Sequence, residues 1–165
     1  MPTWSKTRAA ALLGALLPLA GCLMEHTVSV TNDGRVSFES LVSEPDPQKK
    51  IAFPQFEGAV TKLVEELREH KWKVEVAWLS KERPYRLKVH GSGKLAEISA
   101  STSLYDVGEF APKRYKLLLR APAGAQARAV FESPKDGAMI VDGKGQPAQE
   151  FDTTMDDKYL VIALE

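Results

Sequence analysis

One cysteine in a chain of 165 residues rules out an internal disulfide, so any fold this chain takes is held by packing alone. That single thiol, Cys22, stands directly after an uncharged apolar stretch, Ala9 to Ala20. The stretch is shorter than the ~20 apolar residues that span a bilayer. The chain therefore divides into a short apolar leader and a longer part with 27% charged residues overall, a composition ordinary for a folded domain. The part beyond Cys22 has the length of one domain and can bury a core without staples.

The leader has the anatomy of an export signal. Met1 to Arg8 carries Lys6 and Arg8 and no acid, and Gly14 and Pro18 interrupt the apolar core behind it. The boundary Leu19-Ala20-Gly21-Cys22 resembles the lipobox of bacterial lipoprotein precursors. Small residues at Ala20 and Gly21 let the backbone lie in a peptidase site, and a cysteine thiolate is nucleophilic enough to be alkylated. The resemblance implies that residues 1–21 are a signal peptide cut between Gly21 and Cys22. It further implies a diacylglyceryl thioether on Cys22 and an N-acyl chain, of the palmitate kind, on the new amine. The same resemblance implies sorting: Leu23 stands where an inner-membrane lipoprotein commonly has Asp. The expected address is thus the outer membrane, with the domain facing the periplasm or the cell surface. In a Gram-positive source it would be the outer face of the cell membrane.

Residues 22–26 read as the lipidated cysteine and a tether, and residues 27–165 as a single α+β ectodomain. Four residues, Leu23 to His26, reach only about 15 Å. Val28, Val30, Val36 and Phe38 alternate with polar residues around Asn32-Asp33-Gly34, a hairpin signal. A three-residue loop pairs Val30 with Val36 and Val28 with Phe38 and keeps one face apolar, with Gly34 in the left-handed region. Pro45, Pro47 and Pro54 mark a loop. Phe56, Val60, Leu63, Val64 and Leu67 recur at helical spacing and predict an amphipathic helix over 55–70, its polar side mostly acidic. Trp72, Val74, Val76 and Trp78 alternate as a strand, followed by a strand through Tyr85, Leu87 and Val89. Gly91-Ser92-Gly93 reads as a turn, and 94–101 as a strand with a short helix as the alternative. Further strands are expected at 115–120, 127–132, 138–141 and 159–164. The fold class is α+β: an antiparallel, strand-rich domain with one amphipathic helix packed on a sheet. The strand, Asp-Gly turn and strand over Val28–Phe38 is also similar to the start of some mycobacterial lipoproteins with α/β lipid-binding ectodomains.

Several patterns that could carry chemistry fail on spacing. Gly91-Ser92-Gly93-Lys94 resembles the end of a phosphate-binding loop, but Lys88 stands at the first glycine and Leu95 where Ser or Thr is needed. His26, His70 and His90 are scattered, with no metal spacing, and His70 suits a helix C-terminus. Glu150, Asp152, Asp156 and Asp157 do not match a calcium loop. No nucleophile elbow occurs, and no cofactor or metal is expected. With 22 basic and 22 acidic residues, of which the leader holds Lys6 and Arg8, the chain lacks the basic footprint of a nucleic-acid binder. Trp72 and Trp78 share a strand face and are the candidates for lining an apolar groove between helix and sheet. The expected function is a non-catalytic accessory lipoprotein that meets an envelope protein partner at the membrane surface. The alternatives are a lipoprotein that binds lipid or another apolar ligand and, less favoured, a hydrolase whose site no motif reveals.

Overall fold

The computed structural model describes residues 17–44, 51–122, 125–132, 135–142, 144–152 and 159–165. The leader up to Leu16, Pro45, Pro47, Asp156 and Asp157 lie outside that set. After a 3-10 turn at Leu17–Leu19 come β1 (Leu23–Val30), β2 (Arg35–Ser43), α1 (Phe53–Glu69), β3 (Lys73–Ser80) and β4 (Arg86–Lys94). There follow α2 (Leu95–Ile98), β5 (Tyr105–Ala111), β6 (Arg114–Leu119), β7 (Gln126–Glu132), β8 (Met139–Val141), β9 (Glu150–Asp152) and β10 (Leu160–Ala163). The strands form a six-stranded sheet, β3-β4-β2-β1-β7-β9, and a four-stranded sheet, β5-β6-β10-β8.

The first hairpin takes the register its faces demand: Val30 pairs with Val36 and Val28 with Phe38. Gly34 has φ +81° and donates its N–H to the Thr31 carbonyl at 2.9 Å, the left-handed step that a three-residue loop needs. β3 and β4 make a second antiparallel pair. Pairing between β1 and β7, however, is parallel, with Leu23 opposite Gln126 and Val28 opposite Phe131. The domain is strand-rich and its pairing mainly antiparallel, as expected, but this parallel pair makes the large sheet mixed.

Gly91-Ser92-Gly93 is not a turn. It belongs to β4, and Gly91 sits between Phe38 of β2 and Val74 of β3. A Cβ on Gly91 would lie 2.1 Å from the Phe38 ring, and one on Gly93 would lie 2.5 Å from Ile98 Cγ2. These glycines are in the strand because side chains from neighbouring elements lie flat on them, a close approach that glycine alone permits. Within 94–101 the alternative, a short helix, is found at Leu95–Ile98 alone: in α2 Leu95 and Ile98 fall on one side and are buried, while Lys94 still belongs to β4. The domain thus has two helices among its described residues. α1 starts at Phe53, with Pro54 in its first turn, where a missing N–H breaks no helical bond. Its buried stripe is Phe56, Ala59, Val60, Leu63, Val64 and Leu67.

One face of the six-stranded sheet carries the core. Row by row it reads Trp78–Leu87–Val42–Met24–Ala127, then Val76–Val89–Ser40–His26–Ala129, then Val74–Gly91–Phe38–Val28–Phe131. α1 packs on β3, and its Phe56 meets Trp78 and Tyr85. Towards the other end, Tyr105, Val107, Leu117 and Ile162 of the small sheet close over Val28, Val36 and Phe38. The opposite face of the large sheet is polar, with exposed Glu25, Thr27, Glu39, Glu75 and His90.

Candidate functional site

The end of the large sheet where β1 begins is built around Cys22. Its amide donates to the Leu19 carbonyl at 3.0 Å, and its own carbonyl accepts from Gln126 N–H at 2.9 Å. Gly21, with φ +81°, reverses the chain between the 3-10 turn and β1. Leu17–Leu19 lies against α1, and Leu19 is 0% and Cys22 1% exposed. Both sit in the hydrophobic core.

No tether separates Cys22 from the domain. Leu23 to His26, expected as a spacer, are the first half of β1 and are paired on both edges: Leu23 with Ser43 and Gln126, and His26 with Ser40 and Ala129. The physical reason is visible in the alternation. Met24 and His26 continue the buried set of Val28 and Val30, while Glu25 and Thr27 face water. Histidine at the third place masked the period.

That histidine, set aside by its spacing and placed in the tether, is in the structure the functional-looking residue. His26 is 2% exposed, and its Nδ1 lies 3.0 Å from the Tyr105 hydroxyl. Burial away from water disfavours the imidazolium and lowers the pKa from 6.5 to about 4. Burial likewise raises the Tyr105 phenol well above its ordinary value. Ser40, buried, stands directly opposite His26 on β2. Neither His26 Nε2 nor Ser40 Oγ finds a hydrogen-bond partner among the described residues. The imidazole, the phenol and the serine are all sealed in the core, with the imidazole edge-on to both Phe38 and Tyr105, so no substrate reaches them in this form.

The other candidates are kept apart. His70 caps the C-terminus of α1, His90 lies on the polar sheet face between Glu75 and Glu39, and His26 is inside. No group of three or more His, Cys, Asp or Glu among the described residues could hold a metal ion. Glu150 and Asp152 belong to β9, whereas Asp156 and Asp157 fall outside the described residues.

Trp72 and Trp78 do not line one groove. Trp72 is 3% exposed, stacked on Tyr105 with centroids 5.4 Å apart and edge-on to Phe38 at 5.3 Å. The space around it, between the two sheets, does not admit a water molecule. Trp72 itself precedes β3, whereas Trp78, within β3, is half-buried against Phe53 and Phe56 of α1. Alternation placed both rings on the inner face correctly, but the small sheet, which closes over one of them, is assembled from strands far along the chain.

Beside Trp78 the surface is aromatic and basic. Phe53 contacts Trp78 and Tyr85, and Lys81 Nζ lies 5.7 Å from the Phe53 ring and 5.9 Å from Trp78. The Arg83 guanidinium lies over Tyr85 at 5.6 Å and pairs with buried Glu44 at 2.7 Å.

No family model matches this chain, and no curated protein matches it. Among solved structures, the NMR structure of the folded domain of the Mycobacterium tuberculosis LppM protein is similar over 87% of this chain and 88% of that one, at 10% sequence identity and a TM-score of 0.39.

Proposed function

We propose that the chain is the precursor of a cell-envelope lipoprotein, cut before Cys22 and held by acyl chains on that residue. Its domain acts as a non-catalytic accessory protein on a partner in or beside the same membrane. One observation carries this reading: Leu19-Ala20-Gly21-Cys22 is followed, with no spacer, by a strand already paired on both edges at Leu23. A lipid on Cys22 would hold the domain against the bilayer with no slack at all. Two or three acyl chains, each buried CH₂ contributing ~0.8 kcal/mol, retain such a domain durably where one would not. The outer membrane, on its periplasmic or exterior side, is the address that Leu23 favours. Because Cys22 is buried in the uncut chain, alkylation and cleavage must act before this corner of the domain closes.

Intact-mass analysis of membrane-extracted protein tests the reading. The wild type should start at Cys22 and carry diacylglyceryl and N-acyl groups, and Cys22→Ala should accumulate at full length without them. A Cys22→Ala product that is still matured and membrane-bound to wild-type extent would sink the proposal. The accessory role is tested by inserting some thirty Gly/Ser residues between Cys22 and Leu23, which adds on the order of 30 Å of reach and dilutes the domain near a membrane-bound partner. Complementation of a deletion strain should weaken while lipidation and abundance hold. Undiminished complementation would point instead to a ligand-binding domain that is merely retained by its lipid.

A further inference from the structure

The strand register decides what lies beside Cys22. Leu23 pairs with Ser43, Ser43 with Arg86, and Arg86 with Ser80, so these residues form one row across the end of the large sheet. Three strand spacings separate β1 from β3, about 14 Å. The β3–β4 turn, with Leu79, Lys81, Arg83 and Pro84, therefore projects from the same end of the domain as Cys22. The first turn of α1 joins it there, because Phe53 is packed on Trp78.

This end combines apolar, aromatic and cationic side chains; Lys116 over Phe110 and Tyr159 on the small sheet is a second such patch, but it does not share a strand row with Cys22's neighbour Leu23. Leu79 is 50% exposed, and Trp78 and Phe53 are half-buried with Lys81 across both rings. Arg86 is exposed in the row itself, and the buried Glu44 is already neutralised by Arg83. Exposed Glu82 opposes these cations. Apolar and aromatic bodies with cationic tips suit the boundary between lipid headgroups and acyl chains, where Trp and Tyr concentrate and Lys and Arg reach outward.

We propose that the β3–β4 turn and the first turn of α1, through Trp78, Leu79, Lys81 and Phe53, rest in the headgroup layer of the membrane that holds Cys22. This rests on the lipoprotein reading above. With no tether, a lipid on Cys22 leaves the domain little freedom except tilt about its attachment. The aromatic and basic edge about 14 Å away is a second contact that sets the tilt. The strands of the large sheet then stand upright on the bilayer, and its polar face is presented to the side.

The processed chain contains two tryptophans that report on this directly. Trp78 lies at the Cys22 end, and Trp72, the residue before β3, is six residues back along the chain, about 20 Å away. The lipidated protein is purified from membranes and reconstituted in vesicles of phosphatidylethanolamine and phosphatidylglycerol, with and without a lipid bearing a headgroup nitroxide. Wild-type emission should be quenched several-fold more than that of Trp78→Phe, in which Trp72 alone emits. The pair Leu79→Glu and Lys81→Glu should lower the wild-type quenching while the protein stays on the vesicles. Equal quenching of wild type and Trp78→Phe, or no effect of the two glutamate substitutions, overturns the headgroup contact and leaves the lipid anchor standing. A purified product whose mass shows no lipid overturns the anchor and the contact together.

Discussion

On the inner face of the six-stranded sheet, Phe53, Phe56, Trp78 and Tyr85 gather at the Cys22 end, and Phe38, Trp72, Tyr105 and His26 gather further along. The first cluster is covered by one helix, stays partly open, and is rimmed by Lys81 and Arg83. The second is covered by a whole sheet and closed to water, and it holds an imidazole with an unpartnered nitrogen among the described residues. The same residue types thus serve two purposes. Where the cover is a sheet, aromatic rings are packing. Where it is the end of a helix, they are left at a surface.

The largest expected difference between the clusters is in stability. Phe38→Ala removes a ring that touches Trp72, Tyr105 and His26 and lies over Gly91, so a loss of about 3–5 kcal/mol is expected. Phe53→Ala, half-buried, should lose about 1–2 kcal/mol. Urea midpoints of the two variants check this, and similar losses would erase the distinction between sealed and open ends.

Acid should act on the sealed cluster. The fold favours neutral His26, whose pKa is lowered to about 4 from an ordinary value of 6.5. Its contribution is therefore complete above pH 6.5 and declines as the pH falls towards 4, where the loss reaches roughly 3 kcal/mol. The groups facing the imidazole are the Tyr105 hydroxyl and Ser40, and neither is an anion that would hold the added charge. His26→Gln should flatten the stability profile between pH 6.5 and 4 whatever it does to the midpoint at neutral pH. An unchanged slope in that variant would mean that other groups cause the acid loss.

The hairpin tip belongs to neither cluster and should respond less. Gly34→Val forces a β-branched residue to φ +81° and brings its Cβ within 3.1 Å of Leu164, for about 1–2 kcal/mol. Asp33→Ala, at an exposed carboxylate that accepts from Thr31 and pairs with Arg35, should lower the melting temperature less. Equal shifts would contradict the observed turn. Smallest of all, Lys81→Ala should leave stability within about 0.5 kcal/mol, because an exposed cation over a ring contributes little. A larger loss would show that the open end is held together by its rim.

How much of this was readable depended on whether a residue's role was set by its neighbours in sequence. The Val28–Phe38 hairpin was legible because two faces and one glycine leave a single register. α1 was legible because its stripe recurs over four turns, although its start was set two residues late at Gln55. β5 escaped because Asp106, Gly108 and Glu109 dilute the alternation of Tyr105 and Val107. β9 is three residues long and offers no pattern. At the candidate site, Cys22 and Gly21 stood out by residue type, but the spacer behind them was misread because His26 interrupts an apolar period.

By itself the sequence determined the uncharged apolar stretch that ends before Cys22, the one-sided alternation of the strands and the amphipathic stripe of α1, since each follows from residue type and local spacing. Only the tertiary structure decided that β1 lies between β2 and a parallel β7, that Gly91 and Gly93 are strand residues beneath Phe38 and Ile98, and that Trp72 is sealed while Trp78 is not. Those outcomes depend on which distant side chain covers each position. Hydrophobic burial is non-directional, so local spacing says which face is covered but not which distant segment covers it.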